Sequence, residues 1–375
     1  MKSERLTREL AAVVALGMMA GTMAGACAAP TDGMERGAPD VKSAGSLAFG
    51  PEGILFVADP KGAAVVAIAT GDTESAGEGS LEVEGIGKKV AAMLGTTEEE
   101  MMINDLAVNP ASGAAFLSVS LGRGPDAQPV LVRVKPGGDL ELVELDDVEF
   151  STVSLSDAPE DGEVGEGRRR SNPRMESITD IAYLDGKVVI AGLSNEEFAS
   201  TLRTVEFPFT GEVAATSVEI YHGAHGRLET SSPIRTFLPM AIDGEPNIVA
   251  SYTCTPLVRI PMGELKPSGH VTGTTVAELG NRNRPLDMVE YEKGGERFIL
   301  MANSSRGVMK VEAGKIGEIE GLTERVDGDG TAGLPYETVE DWKGVVQLDK
   351  LNDTQALVIR QGDDGAHSLA QVELL

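Results

Sequence analysis

The stretch SLAFGPEGILFVAD, residues 46–59 of this 375-residue chain, contains two short apolar segments joined by a turn. The turn is GPEG, residues 50–53, and glycine and proline are among the residues that reverse a chain most readily. The second segment ends in the small and polar residues Ala58 and Asp59. Two such segments on either side of a glycine-containing turn predict a β-hairpin.

The same pattern occurs five more times along the chain. The other copies are DLAVNPASGAAFLSVS (residues 105–120), DIAYLDGKVVIAGLS (180–194), PMAIDGEPNIVASYT (239–253), DMVEYEKGGERFILMANS (287–304) and VVQLDKLNDTQALVIRQ (345–361). A third apolar strand often follows, as in AVVAIAT (64–70), and a fourth follows in places, as in SLEVEGI (80–86). The copies begin about 50 to 75 residues apart, close to or above the repeat lengths of propellers.

Six units of about four strands predict an all-β protein, and a six-bladed β-propeller in particular. Two β-sandwich domains would explain the alternation of apolar and polar residues equally well, but not the six-fold recurrence. Residues 85–102 are rich in Ala, Met, Lys and Glu and predict a short helical insertion between blades 1 and 2. Residues 154–177 are polar and rich in Gly and Pro, which predicts a long or partly disordered loop. We expect Trp342 to pack under the sixth blade.

The first 26 residues have the features of an export signal. Lys2, Arg5 and Arg8 precede an apolar segment of small residues, which is short for a membrane-spanning helix. AGAC, residues 24–27, is similar to the cleavage motif of bacterial lipoproteins, which makes Cys27 a candidate lipidation site. The sequence therefore predicts a signal peptide (1–26), a flexible tether (27–43) and a propeller domain (44–375). The protein is expected to be exported, as a periplasmic or cell-surface lipoprotein or alternatively as a secreted protein.

The hairpins resemble those of NHL-type and gluconolactonase-like six-bladed propellers, and LAFGPEGILFVAD is close to the usual opening of their blades. The resemblance covers most of the chain after Ser43. It implies the propeller fold, which hosts binding proteins, lactonases, lyases and redox proteins and so does not select a function. For gluconolactonase-like enzymes, it implies metal-assisted hydrolysis of a lactone or ester. The chain does not match the full ring of metal ligands of that family, because Ser46, Pro239 and Val345 stand at three of the six positions.

The formal net charge of −27 restricts the partners of the protein. Nucleic acid and anionic lipid surfaces require a basic protein surface, so neither is an expected partner. The expected contact with a membrane is only through an N-terminal lipid anchor. An acidic, well-solvated surface accounts for most of the charge.

Basic residues are nevertheless concentrated in the loops that a propeller places on one face. GNRNRP, residues 280–285, contributes Asn281, Arg282 and Arg284. The candidate ligand-binding residues on this face are Arg282, Arg284, Arg306, Arg235, Asn281, Asn303 and His225. Arginine offers a permanent charge and paired donors, which suit an anionic small molecule or an acidic patch of an extracytoplasmic partner protein.

Three aspartates hold the same position in their units, each directly before an apolar residue. Asp105, Asp180 and Asp287 should therefore point toward the propeller axis. Three interpretations are open: they bind Ca²⁺, they hold the arginines in place, or they bond backbone groups where the strands begin.

The leading hypothesis is an extracytoplasmic binding protein with an arginine- and asparagine-rich mouth. The first alternative is a calcium-dependent lactonase or esterase with the metal on the three aspartates. The second is a redox accessory protein that docks a periplasmic electron carrier. No cofactor is certain, and Ca²⁺ is the candidate.

Three weaker candidates lie near this face. His222 and His225 are three residues apart in HGAH, but no third metal ligand is evident beside them. Cys254 in YTCTP is a lone cysteine, and such residues are more often buried and inert than reactive.

Overall fold

The computed structural model describes residues 29–75, 77, 79–167, 170–328 and 330–375. The predicted signal peptide (1–26) and the predicted lipidation site Cys27 lie outside these residues.

None of the described helices has the length and apolar content needed to cross a lipid bilayer.

The chain folds mainly into β-strands, which we number in chain order. The strands are β1 (Glu35–Gly37), β2 (Leu47–Phe49), β3 (Ile54–Asp59), β4 (Ala64–Ala69), β5 (Met101–Val108), β6 (Ala115–Leu121), β7 (Gln128–Val134), β8 (Leu140–Leu142), β9 (Val148–Ser154), β10 (Asp180–Leu184), β11 (Lys187–Leu193), β12 (Ser200–Glu206), β13 (Ala214–His222), β14 (Arg227–Glu229), β15 (Ile234–Ile242), β16 (Glu245–Tyr252), β17 (Pro256–Pro261), β18 (Gly269–Glu278), β19 (Pro285–Lys293), β20 (Glu296–Asn303), β21 (Gly307–Glu312), β22 (Ala332–Gly333), β23 (Tyr336–Thr338), β24 (Val345–Lys350), β25 (Gln355–Gln361) and β26 (His367–Glu373). The α-helix α1 spans Ile86–Met93. Short 3₁₀ turns occur at Pro51–Gly53, Glu98–Glu100, Gly124–Asp126, Pro173–Glu176, Met262–Glu264, Ala313–Glu318 and Glu340–Trp342.

The strands pair into six units, which we call sheets 1 to 6. Sheet 1 consists of β2, β3, β4 and β9, with β1 along the outside of β9. Sheet 2 is β5–β8, sheet 3 is β10–β13 and sheet 4 is β15–β18. Sheet 5 consists of β19, β20, β21 and β23, and sheet 6 of β24–β26. Parallel pairing of β13 with β18 joins sheets 3 and 4 into one ten-stranded sheet.

The innermost strands form a closed ring in the order β2, β10, β15, β19, β24, β5 and back to β2. Buried apolar clusters lie between neighbouring sheets all the way round this ring. Trp342 is buried between sheets 5 and 6, as its predicted place under the sixth unit requires. The fold is an all-β propeller. If each innermost strand belongs to one blade, the six strands of the ring correspond to six blades.

The six predicted hairpins are all present, but the closure of the ring differs from the expectation. SLEVEGI does not supply the fourth strand of sheet 1, because Val83 within it pairs with Leu369 at the outer strand of sheet 6. The fourth strand of sheet 1 is β9, which follows sheet 2 in the chain. The whole of sheet 2 is thus inserted between β4 and β9. The segment around Val83, which sheet 1 does not use, instead pairs with β26 at the outer edge of sheet 6.

Two predicted segment boundaries also change. The predicted helical insertion is present as α1 between β4 and β5, but the strand β5 already begins at Met101, inside the segment expected to be helical. Within the predicted flexible tether, β1 pairs with β9. The backbone N–H groups of Lys42 and Ser43 donate to the carboxylate of Asp59 at 2.7 and 2.8 Å. Residues 35–43 are therefore packed against the propeller rather than extended from it.

The described residues of the predicted loop 154–177 are held by hydrogen bonds. The Asp157 carboxylate accepts hydrogen bonds from Arg203, and Val164 pairs with Ser171. Arg168 and Arg169, in the middle of this segment, lie outside the described residues.

Candidate functional site

Asp105, Asp180 and Asp287 come together at the axis of the ring. All three line one cavity of about 150 Å³, and all three also line a shallower depression of about 340 Å³ on the other side. The three aspartates therefore lie between two depressions at the axis of the ring. Their shared sequence position places them there, because each lies opposite a small residue of the second strand of its hairpin: Ser118, Ala191 and Ala302, respectively.

A fourth aspartate, Asp349 in β24, lines the 340 Å³ depression with these three, while Gln347 takes the equivalent place in the 150 Å³ cavity. The sequence did not indicate Asp349, because Val345, four residues earlier, was expected at the aspartate position of this unit. In VQLDK, residues 346–350, the aspartate is followed by Lys350 and not by an apolar residue, so the pattern shared by Asp105, Asp180 and Asp287 is not present in this unit.

Each of these aspartates holds the innermost strand of the next sheet. The Oδ2 atom of Asp105 accepts from the backbone N–H of Leu47 at 2.7 Å, and that of Asp180 accepts from Phe237 at 2.8 Å. The other two bonds continue the series: the Oδ2 atoms of Asp287 and Asp349 accept from the backbone N–H groups of Leu348 (2.8 Å) and Val108 (2.7 Å), respectively. All four bonds run in the same direction round the ring.

The other carboxylate oxygens bond nearby backbone groups. The Oδ1 atom of Asp180 accepts from Ile181 and that of Asp287 from Met288, both at 2.8 Å. The Ser46 hydroxyl, at the aspartate position of sheet 1, donates to the carbonyl of Thr179 at 3.1 Å. Of the three interpretations, this geometry agrees with aspartates that bond backbone groups, although the partners lie mostly on neighbouring sheets.

Burial makes these carboxyl groups hard to ionise. It raises the pKa of Asp180 to about 7 and the pKa of Asp349 to about 6, against the backbone hydrogen bonds that lower both values. Burial also raises the pKa of Asp105 and of Asp287 well above the usual range, and repulsion from the other axial carboxylates, Asp180 and Asp349 among them, adds to both shifts. At mildly acidic pH several of the axial aspartates therefore carry a proton.

Two of the predicted arginines, Arg235 and Arg284, line the 150 Å³ cavity with the aspartates. Arg235 forms an ion pair with Glu176 at 2.7 Å, and its Nε–H donates to the Thr253 hydroxyl at 3.1 Å. Burial lowers the pKa of Arg284 and repulsion from Arg235 lowers it further, while attraction to Glu176 acts in the opposite direction. Among the ion pairs of the described residues, none includes Arg284 and none joins Arg235 or Arg282 to an axial aspartate. The expectation that the aspartates hold the arginines in place is thus wrong, since backbone groups take up the carboxylates instead.

The predicted residues Arg282, Arg306 and Asn303 do not line the axial cavity. Arg282 is exposed, and its backbone has a positive φ of 56°. The side chain of Arg306 packs against Gly280 and donates to the carbonyl of Asn281 at 3.2 Å. Asn303 is buried, donates to the carbonyl of Met301 and accepts from a neighbouring asparagine, so it supports the loop.

His225 belongs to a separate cluster. The Nδ1 atoms of His222 and His225 bond the two carboxylate oxygens of Glu229 at 2.8 and 2.6 Å. Burial of Glu229 acts to raise its pKa, but the hydrogen bonds from the two histidines outweigh burial and lower that pKa to about 2. Burial lowers the pKa of His222. Of the seven predicted ligand-binding residues, the fold thus brings only Arg235 and Arg284 to the axis, and the ligand-binding role of the set stays a prediction.

Comparisons with known proteins bear on the fold alone. No protein-family model matches the chain, and no curated protein matches it. Among solved structures, the chain is similar to a glucose dehydrogenase-type oxidoreductase of Thermus thermophilus, with 14% identity, a TM-score of 0.36 and coverage of 90% of this chain and 99% of that one. It is also similar to the PQQ-bound aldose sugar dehydrogenase of Streptomyces coelicolor, with 11% identity, a TM-score of 0.34 and coverage of 90% and 96%. The extracellular region of plexin A4 matches with 10% identity and a TM-score of 0.40, over 91% of this chain and 46% of that one.

Proposed function

We propose that the protein is an exported β-propeller binding protein that holds a small oxyanion, or the carboxylate end of a larger anionic ligand, in the axial cavity. The observation that carries this proposal is the position of Arg284. Its guanidinium group lies at the cavity beside Arg235, and no ion pair of the described residues includes it. Glu176, which pairs with Arg235, already attracts Arg284, and an anion between the two arginines would reduce their repulsion further and give Arg284 a direct ion-pair partner.

The size of the cavity limits the ligand. Its volume is about 150 Å³, and a water molecule takes up about 30 Å³ in the liquid. The space is sufficient for a few water molecules or for one small oxyanion. A larger ligand would place only its charged end between the arginines.

The axial aspartates agree with an anionic ligand over part of the pH range. Because the pKa of Asp180 is about 7, this group carries a proton at mildly acidic pH. A protonated carboxyl group donates a hydrogen bond to an oxyanion instead of repelling it. Affinity for the anion should therefore fall as the pH rises through about 7.

The location and finer family of the protein rest on sequence features. The N-terminal signal pattern and Cys27 support export and lipid anchoring in the periplasm or at the cell surface, with secretion as the alternative. The blade opening LAFGPEGILFVAD supports a relationship with NHL-type and gluconolactonase-like propellers. An acidic patch of an extracytoplasmic protein could present the same kind of anionic group to the arginines.

A calcium-dependent hydrolase is the alternative that the same residues suggest. Calcium would need six to eight oxygen ligands, whereas the Asp105, Asp180 and Asp287 carboxylates already accept backbone N–H groups. The bonds to the neighbouring strands favour a structural role for these aspartates. The chain's own residues therefore support anion binding over calcium binding.

The experiment is a calorimetric titration of the protein with inorganic phosphate and with acetate at pH 6. Arg284→Ala should weaken binding at least about tenfold, since a charge-assisted hydrogen bond contributes roughly 1.5–3 kcal/mol. Arg282→Ala is the matched control, because Arg282 is an exposed arginine of the same loop, as Arg284 is, but does not line the cavity. Equal affinities of wild type and Arg284→Ala, or no binding of either anion, would overturn the proposal. A melting temperature that falls on addition of a calcium chelator would favour the hydrolase instead.

A further inference from the structure

We propose that His222, His225 and Cys254 bind one Zn²⁺ ion at the edge where sheets 3 and 4 join. One ring nitrogen of each histidine and the Sγ atom of Cys254 lie within 4.8 Å of one another. Two imidazoles and one thiolate are ligand types that zinc takes in proteins. The site does not depend on anion binding at the axis, because none of the three residues lines the axial cavity.

The joining of the two sheets explains how distant residues meet. His222 ends β13, and Cys254 lies in the turn between β16 and β17. Strand β13 pairs in parallel with β18, and Pro256 at the start of β17 pairs with Glu278 at the end of β18. The end of β13 and the start of β17 therefore lie close together, next to the end of β18. The sequence could not show this proximity, because it depends on the pairing of β13 with β18.

Glu229 holds one nitrogen of each histidine ring. Its two carboxylate oxygens bond the Nδ1 atoms of His222 and His225, and the imidazole rings lie 4.0 Å apart. With Nδ1–H donating to the carboxylate, Nε2 of each ring carries the free lone pair. A carboxylate that holds the second nitrogen of a histidine is a recurrent support of zinc ligands.

The Nε2 atom of His222 is the second observation that points to a ligand. His222 is only 2% exposed, and its Nε2 atom is buried without a hydrogen-bond partner among the described residues. A buried polar atom without a partner costs roughly 1–3 kcal/mol. A metal ion bound at this nitrogen would remove that cost.

The turn that carries Cys254 is held in an uncommon backbone conformation. Cys254 and Thr255 have positive φ angles of 68° and 55°, which are rare for residues other than glycine and especially for a β-branched residue. The backbone N–H of Cys254 donates to the carbonyl of Asn283 at 2.7 Å, and the Thr255 hydroxyl donates to that of Gly280 at 2.8 Å. These bonds fix the turn and place the thiol beside the histidines.

The ligand atoms must move closer together to hold the ion. Zn–N and Zn–S bonds of about 2.0–2.3 Å put tetrahedral ligand atoms about 3.3–3.6 Å apart. A side-chain rotation at half-exposed His225 and at Cys254 can supply this contraction. Three protein ligands leave a fourth position for water or for a ligand group.

The test uses the full chain with Cys27→Ala, so that Cys254 is the sole remaining cysteine of the two in the sequence. Metal-free protein is titrated with Co²⁺ as a spectroscopic probe and then with Zn²⁺. One ion should bind per chain, with a thiolate-to-cobalt charge-transfer band in the near ultraviolet. Zn²⁺ should displace the cobalt and abolish the band.

Variants separate a metal site from non-specific binding. Cys254→Ser should remove the charge-transfer band, and His225→Gln should weaken Zn²⁺ binding at least tenfold. Glu229→Gln should weaken it about 10–100-fold while the band remains, as expected of a positioning residue. His270→Gln, which changes an exposed histidine elsewhere, and Arg284→Ala, which changes the axial cavity, should leave binding unchanged.

The proposal is overturned if no charge-transfer band forms, or if Cys254→Ser and His225→Gln bind Zn²⁺ as tightly as the parent protein. His222 is fully buried and its replacement can prevent folding, so the test rests on the more exposed His225 and Cys254. Loss of anion binding in Arg284→Ala with Zn²⁺ binding intact would show that the two sites are independent.

Discussion

The Oδ2 atom of Asp287 accepts a hydrogen bond of 2.8 Å from the backbone N–H of Leu348, so a side chain of sheet 5 holds the innermost strand of sheet 6. The Oδ1 atom of the same carboxylate accepts from the backbone of Met288 at 2.8 Å. One aspartate thus fixes its own strand and joins it to the next. The equivalent bonds of the other axial aspartates make this a repeated device for holding neighbouring sheets together.

Asp287→Ala should destabilise the protein by about 1–3 kcal/mol, because the inner-strand N–H of Leu348 loses its acceptor. Urea denaturation followed by circular dichroism measures the difference. Asp353→Ala is the control, since the exposed Asp353 pairs with Lys350 at the surface and its loss should change stability by less than about 0.5 kcal/mol. Equal midpoints for wild type and Asp287→Ala would show that the inter-sheet bond does not contribute to stability.

The raised pKa of Asp180 makes stability depend on pH. Its folded-state pKa of about 7 exceeds the ordinary value of 3.8, so the folded protein holds this proton more tightly than the unfolded chain does. The stabilisation is fully present below about pH 4 and is lost as the pH rises to about 7. Asp349, with a pKa of about 6, acts in the same direction.

Asp180→Asn should therefore reduce the fall in melting temperature between pH 5 and pH 8. Asparagine stays neutral throughout and keeps one oxygen to accept from Phe237, although it loses an acceptor for Ile181. The comparison is the pH slope of the melting temperature, because the absolute stability also changes with the lost acceptor. An unchanged slope would mean that Asp180 is ionised in the folded protein at both pH values.

The hairpins of this fold could be predicted because each depends on residues close in the chain. GPEG before Ile54 and LDG before Lys187 are local turn signals between apolar segments. The shared position of Asp105, Asp180 and Asp287 in their units likewise predicted a common place at the axis. The unit that begins at Pro239 lacks such an aspartate, but its turn residues were sufficient to identify it.

The closure of the ring could not be predicted, because it depends on pairings between distant segments. Nothing near Val83 indicates that it pairs with Leu369, more than two hundred residues later. Residues 148–154 carry alternating apolar residues, but that pattern does not reveal that they return to sheet 1. The side-chain partners of the arginines could not be predicted for the same reason: Glu176, which pairs with Arg235, lies far from it in the chain.

Gly192→Ala should destabilise the protein strongly. A β-carbon at this position would lie 2.0 Å from the backbone carbonyl oxygen of Ser177, and backbone cannot move aside as a flexible side chain can. Overpacking of this kind costs typically about 1–3 kcal/mol, and more where the backbone must shift. Gly211→Ala is the matched control, because its β-carbon would meet nothing within 4 Å. Equal urea midpoints of the two variants would contradict the close approach of Ser177.

Arg203 is held by the same carbonyl. Its side chain is 0% exposed, and its guanidinium group donates to Asp157 at 2.9 Å, to the carbonyl of Ser177 at 3.1 Å and to that of Leu193 at 2.9 Å. This residue therefore ties the loop that enters sheet 3 to the end of β11. The Asp157 side chain is 20% exposed. If the ion pair is broken, water can therefore reach Asp157 but not the fully buried Arg203.

Arg203→Met should destabilise the protein by about 3–5 kcal/mol, since it leaves two backbone carbonyls and a carboxylate without their donor. Asp157→Asn should cost less, because the carboxylate keeps access to water and the arginine keeps its two carbonyl acceptors. The double variant should cost little more than Arg203→Met alone, because the Arg203–Asp157 interaction is already lost in the single variant. Additive effects in the urea-denaturation cycle would mean that the two side chains act independently, and the ion pair would then contribute nothing to the anchoring of the loop.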